Sequence, residues 1–379
     1  MPRTTKPFHT QTKPCPDCGV RKIDPRAKRC IYCRRGLKAP ASKYAPPAEQ
    51  VVADRERLRK EAEANSLRLR YKQALATIEA QEKQIRVIGA LQTGIQTHVI
   101  KPAASTRGNE ATAVVLASDW HYAGRVGSEV GGLNKFNLDI AHERITKFFK
   151  KALYLTNLLA KDIPVPTMVL ALLGDFITGH IHEEFMETNQ LPPMLELVAV
   201  QNEIISGIQF LLDNSDRTLV IPCHSGNHAR TTKTTHFASE NGHSLEYLMY
   251  LHLQAYFAAK GEKRVTFIVP DGPHSYLDIY GTTVRFQHGH MVKYGGGVGG
   301  LTIPLLKATS QWNKGRHADL DVLGHFHQMF DGGNFIVNGS LIGYDSFALS
   351  IKASYEKPKQ ALFLLDRKRG RTFTCPILL

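Results

Sequence analysis

The sequence has no apolar run near the ~18 residues that a membrane span requires. Its first ten residues, MPRTTKPFHT, are basic and carry no apolar stretch, so no signal peptide is expected and a cytoplasmic location is. Acidic residues are scarce at that end. Residues 1 to 40 hold eleven Lys or Arg against only Asp17 and Asp24, a net of +9. The whole chain carries +14, so the other 339 of its 379 residues account for only +5. A polyanion partner is therefore to be sought at the N-terminal end. Cysteine is sparse beyond the same segment. Of six, only Cys223 and Cys375 lie outside it, and isolated thiols of this kind suit buried small hydrophobes. Such numbers, in that compartment, speak against a disulfide framework.

The other four cysteines are close together. Cys15, Cys18, Cys30 and Cys33 form two C-x-x-C knuckles eleven residues apart, a compact spacing for four thiolates closing on one structural Zn²⁺. Gly19 permits the tight turn after the first knuckle. The segment resembles the short zinc ribbons attached to DNA-acting enzymes, and Arg21, Lys22, Arg26, Lys28, Arg29, Arg34 and Arg35 would suit phosphate contacts. A basic mini-domain that docks on another protein is the alternative. After a Pro/Ala-rich linker at 36–50, the spacing and composition predict one long helix from Ala48 to about Leu91. Ala64, Leu67, Tyr71, Ala74, Ile78, Gln81, Ile85 and Ile88 recur at alternating three and four spacing, a weak heptad seam. It would serve a homodimeric coiled coil, or a helix packed on its own domain. The stretch 94–110 reads as a second linker. Three pieces result: 1–40, 41–95 and 96–379.

From Ala111 onward, apolar strand-like runs alternate with amphipathic helices. TAVVLAS, TMVLALLG, RTLVIPC and TVRFQH read as strands, with helices near 138–161, 195–213 and 243–260. DLDVLG, NFIVNGS and QALFLLD follow, separated mostly by turns. The fold class is α/β, with a mixed sheet or two stacked sheets and helices outside. Chemistry-bearing residues collect where strands stop. Asp119 and His121 follow the first, Asp175 the second, Asn227 and His228 the third, His288 and His290 the fourth, and His325 and His327 close a later one. Ligand sites in open α/β sheets gather at the carboxyl ends of strands, and neutral imidazole is the commonest metal-binding side chain.

The ordered set D-x-H, G-D, G-N-H, H-G-H and G-H-x-H is similar to that of the calcineurin-like metallophosphoesterase superfamily, over roughly residues 115 to 330. The resemblance implies a four-layer αββα sandwich with two divalent metal ions at one end of the sheets. It implies that Asp119, His121, Asp175 and His327 hold one ion. Asp175, Asn227, His288 and His325 would hold the other, with the Asp175 carboxylate bridging. His228 would be catalytic and not a ligand, and a metal-bridging hydroxide would attack phosphorus in line. Mn²⁺ is the first expectation for these ligands, with Fe, Zn²⁺ or Mg²⁺ as alternatives. The arrangement also resembles phage-encoded members, which would act in the host cytoplasm. One departure stands out. Ala229 follows G-N-H where the family commonly has Asp or Glu, so whatever orients His228 must come from elsewhere. GDFITGH does not match the G-D-x-x-D-R-G of protein Ser/Thr phosphatases, which argues against a phosphoprotein substrate.

Other conspicuous residues have plainer readings. His180 and His182 repeat the G-H-x-H spacing in a loop and read as solvated or substrate-edge residues. His290 reads as a neighbour of the ligands. The glycines of KYGGGVGGLTIPL lack the Lys-Ser/Thr of a P-loop and suit a flexible active-site loop. Trp120 could stack on a base or pack in the core. The expected activity is phosphodiester hydrolysis, with DNA as the leading substrate because of the basic Cys₄ segment. A nucleotide or cyclic-nucleotide phosphodiesterase or phosphatase, and a non-catalytic nucleic-acid-binding protein, are the alternatives.

Overall fold

The computed structural model describes residues 15–16, 35–36, 48–91, 97–103, 108–181, 183–293, 300–350 and 353–379. Cys15 is buried, while Cys18, Cys30 and Cys33, and with them the expected zinc ribbon, lie outside the described residues. The chain forms two compact units, Met1–Thr93 and Gly94–Leu379.

In the first unit, helix α1 (Ala48–Leu91) runs for 44 residues, about 66 Å at 1.5 Å per residue. Side chains are described for 52–73, and those of the expected seam within that span, Ala64, Leu67 and Tyr71, are exposed. What supports the helix there is charge pairing one turn apart. Arg59 meets Glu63 at 3.1 Å, Lys60 meets Glu56 at 3.6 Å, and Arg57 meets Glu61 at 4.0 Å. Such exposed pairs contribute only about 0.3–0.5 kcal/mol each.

The second unit contains two six-stranded mixed sheets. One has the order β12 (Gly370–Leu378), β11 (Lys359–Asp366), β2 (Ala111–Ala117), β3 (Thr167–Leu172), β4 (Thr218–Pro222), β5 (Val265–Ile268). The other runs β1 (His98–Ile100), β6 (Ser275–Ile279), β7 (Thr282–Phe286), β8 (Leu320–Leu323), β10 (Phe335–Val337), β9 (Phe330–Asp331). Their central neighbours, β2–β3–β4 and β7–β8–β10, are parallel. Alternate residues of β2 and β3 divide between two cores, as the two-residue strand period requires. Val114, Leu116, Val169 and Ala171 pack against Val284, Phe286, Val322 and Ile336 of the facing sheet. Val115, Ala117, Met168 and Leu170 point the other way, into a cluster with Phe148 of α2 (Leu138–Leu159), Ile204 of α3 (Pro193–Asp213) and Leu253 of α4 (Leu245–Ala259). On the far side, Leu323, Phe335 and Val337 receive Leu305 and Trp312 of α5 (Thr302–Gly315). The layers are thus helix, sheet, sheet, helix: the four-layer αββα sandwich. Helix α3 is apolar and long enough to cross a membrane by composition, but Leu197, Val200, Ile204, Ile208 and Leu211 are buried in the core.

One expectation is corrected. The stretch 94–110 is not linker throughout, because β1 lies in it and pairs in parallel with β6, His98 opposite Leu277 and Ile100 opposite Ile279. Three residues are too few for a period-two pattern to show; the strand exists because a sheet edge offers it partners.

Candidate metal centre

Five strands deliver their polar residues to one rim. Asp119 and His121 follow β2, Asp175 follows β3, Asn227 and His228 follow β4, His288 follows β7, and His325 and His327 follow β8. The backbone turns there in a costly way. Among the described residues, six non-glycine residues have positive φ, and five are Asp119 (55°), His121 (45°), Asp175 (54°), His325 (72°) and His327 (55°). Left-handed backbone at such residues costs of order 1–3 kcal/mol each and persists where function holds it. Glycines make the close approaches possible. A Cβ on Gly174 would overlap the backbone at Gly226, and one on Gly226 would overlap the Asp175 carboxylate.

Three donor sets result, each within 4.8 Å internally: Asp119, His121 and His327; His121, Asp175 and His228; Asp175, His288 and His325. His121 and Asp175 link them into one continuous group. His121 Nε2 and His327 Nε2 face each other at 3.1 Å, and His288 Nε2 lies 3.0 Å from Asp175 Oδ2. His327 Nε2 is 3.6 Å from Asp119 Oδ1. Asn227 Oδ1 is buried with no hydrogen-bond partner, as is the Nδ1 of His327. A buried, unpartnered amide oxygen on the residue before His228 suits a cation, which would supply the partner it lacks.

The electrostatics divide the group. Burial raises the Asp119 carboxyl above its ordinary range and pushes His121 and His325 well below theirs, so these imidazoles stand neutral, as ligation requires. Burial would raise Asp175 too, but His288 and His228 outweigh it and hold the carboxyl well below its usual value. Burial opposes a charged His288, yet Asp175 overcomes it and lifts that imidazole to about 10.

The donors are braced by groups that carry no motif. Glu246, in the first turn of α4, accepts from Phe176 N–H (2.6 Å) and Gly226 N–H (2.7 Å), tying the G-D loop to the G-N-H loop. Glu196, in the first turn of α3, accepts from Ala123 (2.8 Å), Thr178 (2.7 Å) and Gly179 (3.2 Å). Ser118 donates to Asp119 Oδ2 at 2.5 Å and itself accepts from Asn338 at 2.8 Å. The sequence offered one signal for the two glutamates, an acid at the start of an apolar helix, which ordinarily means only a favourable helix dipole. The group that orients His228 is a main-chain carbonyl. His228 Nδ1 lies 2.9 Å from Thr178 O, and its backbone N–H donates to Asp175 Oδ1 at 2.8 Å, while Ala229 fills the core.

Other residues fall into place. Trp120 is fully buried, edge-on to Phe148, Phe149 and Phe176, so it packs the core and has no face for a base. His180 is exposed and stands outside the three donor sets. His182 and residues 294–299 of the glycine-rich stretch lie outside the described residues. Cys223 is buried, as expected, and Cys375 is half-buried.

No protein-family model and no curated protein matches the chain. Solved structures with similar coordinates include the calcineurin-like phosphoesterase YfkN of Bacillus subtilis, at 12% identity and TM-score 0.28, covering 68% of this chain and 86% of that one. Vps29 of Chaetomium thermophilum is similar at 10% identity and TM-score 0.27, over 70% and 94% of the two chains. The sulfate thiohydrolase SoxB of Thermus thermophilus has 9% identity and TM-score 0.30, over 74% of this chain and 58% of its own. The layers seen here are those of a four-layer αββα sandwich, and the functional reading stands on the donor geometry.

Proposed function

We propose that the second unit is a dinuclear-metal phosphoesterase and that the full chain is a nuclease acting on nucleic acid. The observation that carries the first part is the continuous donor group, in which His121 and Asp175 each belong to two sets and Asn227 supplies an otherwise unpartnered oxygen. Asp119, His121, Asp175 and His327 would hold one divalent ion, and Asp175, Asn227, His288 and His325 the other. Bound there, the ions supply positive charge for the phosphoryl oxygens and lower the pKa of water toward about 7. The chain's own residues do the rest. Asp175 holds the two halves together, and its hydrogen bond from His228 N–H fixes the loop that carries the catalytic imidazole. With Nδ1 engaged by a carbonyl, His228 presents Nε2 to the developing charge or the leaving oxygen. Imidazole, carboxylate and amide donors favour Mn²⁺ first, with Fe, Zn²⁺ or Mg²⁺ as alternatives.

Support for nucleic acid comes from the charge distribution, +9 in the first forty residues against +5 in the rest, and from the Cys₄ spacing that suits a structural zinc. In this reading the basic module holds DNA, the sandwich cuts it, and α1 pairs two chains. The test is a panel of single- and double-stranded DNA, RNA, cyclic nucleotides and aryl phosphate esters, each with Mn²⁺ and with chelator. Metal-dependent cleavage of polymers is expected. Cleavage of mononucleotides or cyclic nucleotides alone would replace the nuclease with a nucleotide phosphodiesterase. Full metal occupancy without turnover of any substrate would leave a binding protein.

A further inference from the structure

His327 offers two ring nitrogens, and the donor group accounts for only one of them. Its Nε2 lies 3.1 Å from His121 Nε2 and 3.6 Å from Asp119 Oδ1, which makes it the nitrogen for a cation. Its Nδ1 is buried and has no hydrogen-bond partner. An imidazole that binds a metal through one nitrogen carries its proton on the other. That N–H almost always goes to a carboxylate, a carbonyl or water, which fixes the tautomer and the direction of the ring. His288 already follows this rule: Nε2 lies 3.0 Å from Asp175 Oδ2, and Nδ1 is 2.6 Å from the Leu173 carbonyl oxygen. His327 has no such carbonyl. The acid on its Nδ1 side is Asp345, with Oδ2 at 4.0 Å.

Asp345 precedes the short helix Ser346–Ser350. Its Oδ1 accepts the Ala348 N–H at 2.8 Å, as an N-cap does, and its main-chain carbonyl accepts from Leu349 at 3.0 Å. One carboxylate oxygen thus anchors the helix while the other faces the imidazole. The side chains of Asp345 and His327 are only 14% and 10% exposed, so little water competes for the pair. The same helix brings Phe347 to the imidazole, ring centroids 6.1 Å apart. At 4.0 Å the pair stands about 1 Å beyond ordinary N–H···O contact, a gap that a side-chain rotation closes. We infer that Asp345 is the positioning residue of His327, accepting its Nδ1–H and so holding Nε2 toward the ion it would share with Asp119, His121 and Asp175. The inference rests on the metal-centre part of the proposed function. It makes the two ions unequal, because His327 serves one and not the other.

The experiment titrates full-length protein with Mn²⁺ by calorimetry, comparing wild type with Asp345→Asn and Asp345→Ala. Asn caps a helix about as well as Asp, whereas Ala does not, so the two variants separate the carboxylate from the cap. Both should bind one ion about 10- to 100-fold more weakly, the scale for a lost partner of a ligating histidine, and the other within about threefold of wild type. Only Asp345→Ala should also lower the denaturant midpoint of the metal-free protein. Turnover of bis(4-nitrophenyl) phosphate by either variant should need correspondingly more Mn²⁺ to reach half its maximum. Wild-type affinity for both ions in Asp345→Asn would reduce Asp345 to a helix cap and overturns the assignment. Equal weakening of both ions overturns it too. Two ions bound by wild type without turnover of any ester would end the phosphoesterase reading alone, and the affinities of the variants would still decide the role of Asp345. A wild type that binds no Mn²⁺ sinks both.

Discussion

Strands β7 and β8 carry one buried polar cluster within their ladder and another just past their carboxyl ends, and the two clusters differ in one respect. Within the strands, Arg285 pairs with Asp321 opposite it in the sheet, Nε to Oδ1 at 2.6 Å and Nη2 to Oδ2 at 2.8 Å. Asn313 and the Arg316 carbonyl take further guanidinium protons, and the Trp312 ring covers the group at 5.3 Å. At the exit end, a few residues along, His288, His325 and His327 crowd against carboxylates, with atoms of Asn227 and His327 left unpartnered. Both clusters are charged and largely buried. The first closes its hydrogen bonds within the chain and needs nothing more, so it reads as structure. The second is closed only by something added. Completeness of pairing, more than burial or charge, separates a cluster that holds the fold from one that holds a ligand.

That contrast can be broken by experiment. Asp175→Asn should have the largest effect, since Asp175 serves both halves of the centre. Metal analysis should show both ions lost, and turnover of an aryl diester should fall at least ~10³-fold. Two bound ions with full turnover would overturn the site. Arg285→Met should leave metal stoichiometry alone while lowering stability by about 3–5 kcal/mol in denaturant unfolding, because Asp321 is then buried without its partner. A loss of metal instead would merge the two clusters into one. Glu246→Gln sharpens the comparison at the exit end. It keeps the side chain's shape but removes an acceptor from the loop amides, and metal affinity by calorimetry should weaken about 10- to 100-fold. Glu196→Gln acts through pH. Burial lifts the Glu196 carboxyl from 4.5 to about 7. Its contribution to stability is therefore complete below about 4.5 and is lost as pH rises through about 7. The variant should flatten that part of the stability-versus-pH curve, and an unchanged slope would place the titration elsewhere. Smallest of all is removal of residues 1–93. Hydrolysis of the aryl diester should not change, while DNA binding weakens and its salt dependence flattens.

The donors were legible because each sits where an apolar strand ends, and strand ends can be read from runs such as TMVLALLG and TVRFQH. Their ordered motifs supplied the rest of the donor set. The left-handed backbone at Asp119, His121, Asp175, His325 and His327 was not legible, because nothing in those residue types prescribes it; the contacts there run to loops distant in sequence, such as Asp119 N–H to Gly174 O, His121 N–H to Asp175 O and His325 N–H to Asp119 Oδ1. Glu196 and Glu246 escaped for a related reason. Each braces loops far away in sequence, whereas its local setting is that of an ordinary first helical turn. Trp120 shows the converse. Flanked by two candidate ligands, it pointed to function by its neighbours in sequence, yet the turn past β2, with left-handed backbone at Asp119 and His121, sends it into the helical core beside Phe176.

The three residues of β1 have a consequence for how this unit behaves outside the folded whole. They cover β6, which would otherwise present an open row of N–H and C=O groups at the margin of its sheet. A version of the sandwich beginning at Gly94 keeps that cover, and one beginning at Ala111 discards it. The shorter version would still contain every donor, but its bare margin could accept a strand from a second copy, and that copy from a third. Self-association growing with concentration would then come from trimming a segment that looks dispensable, with no change at the rim that carries the donors.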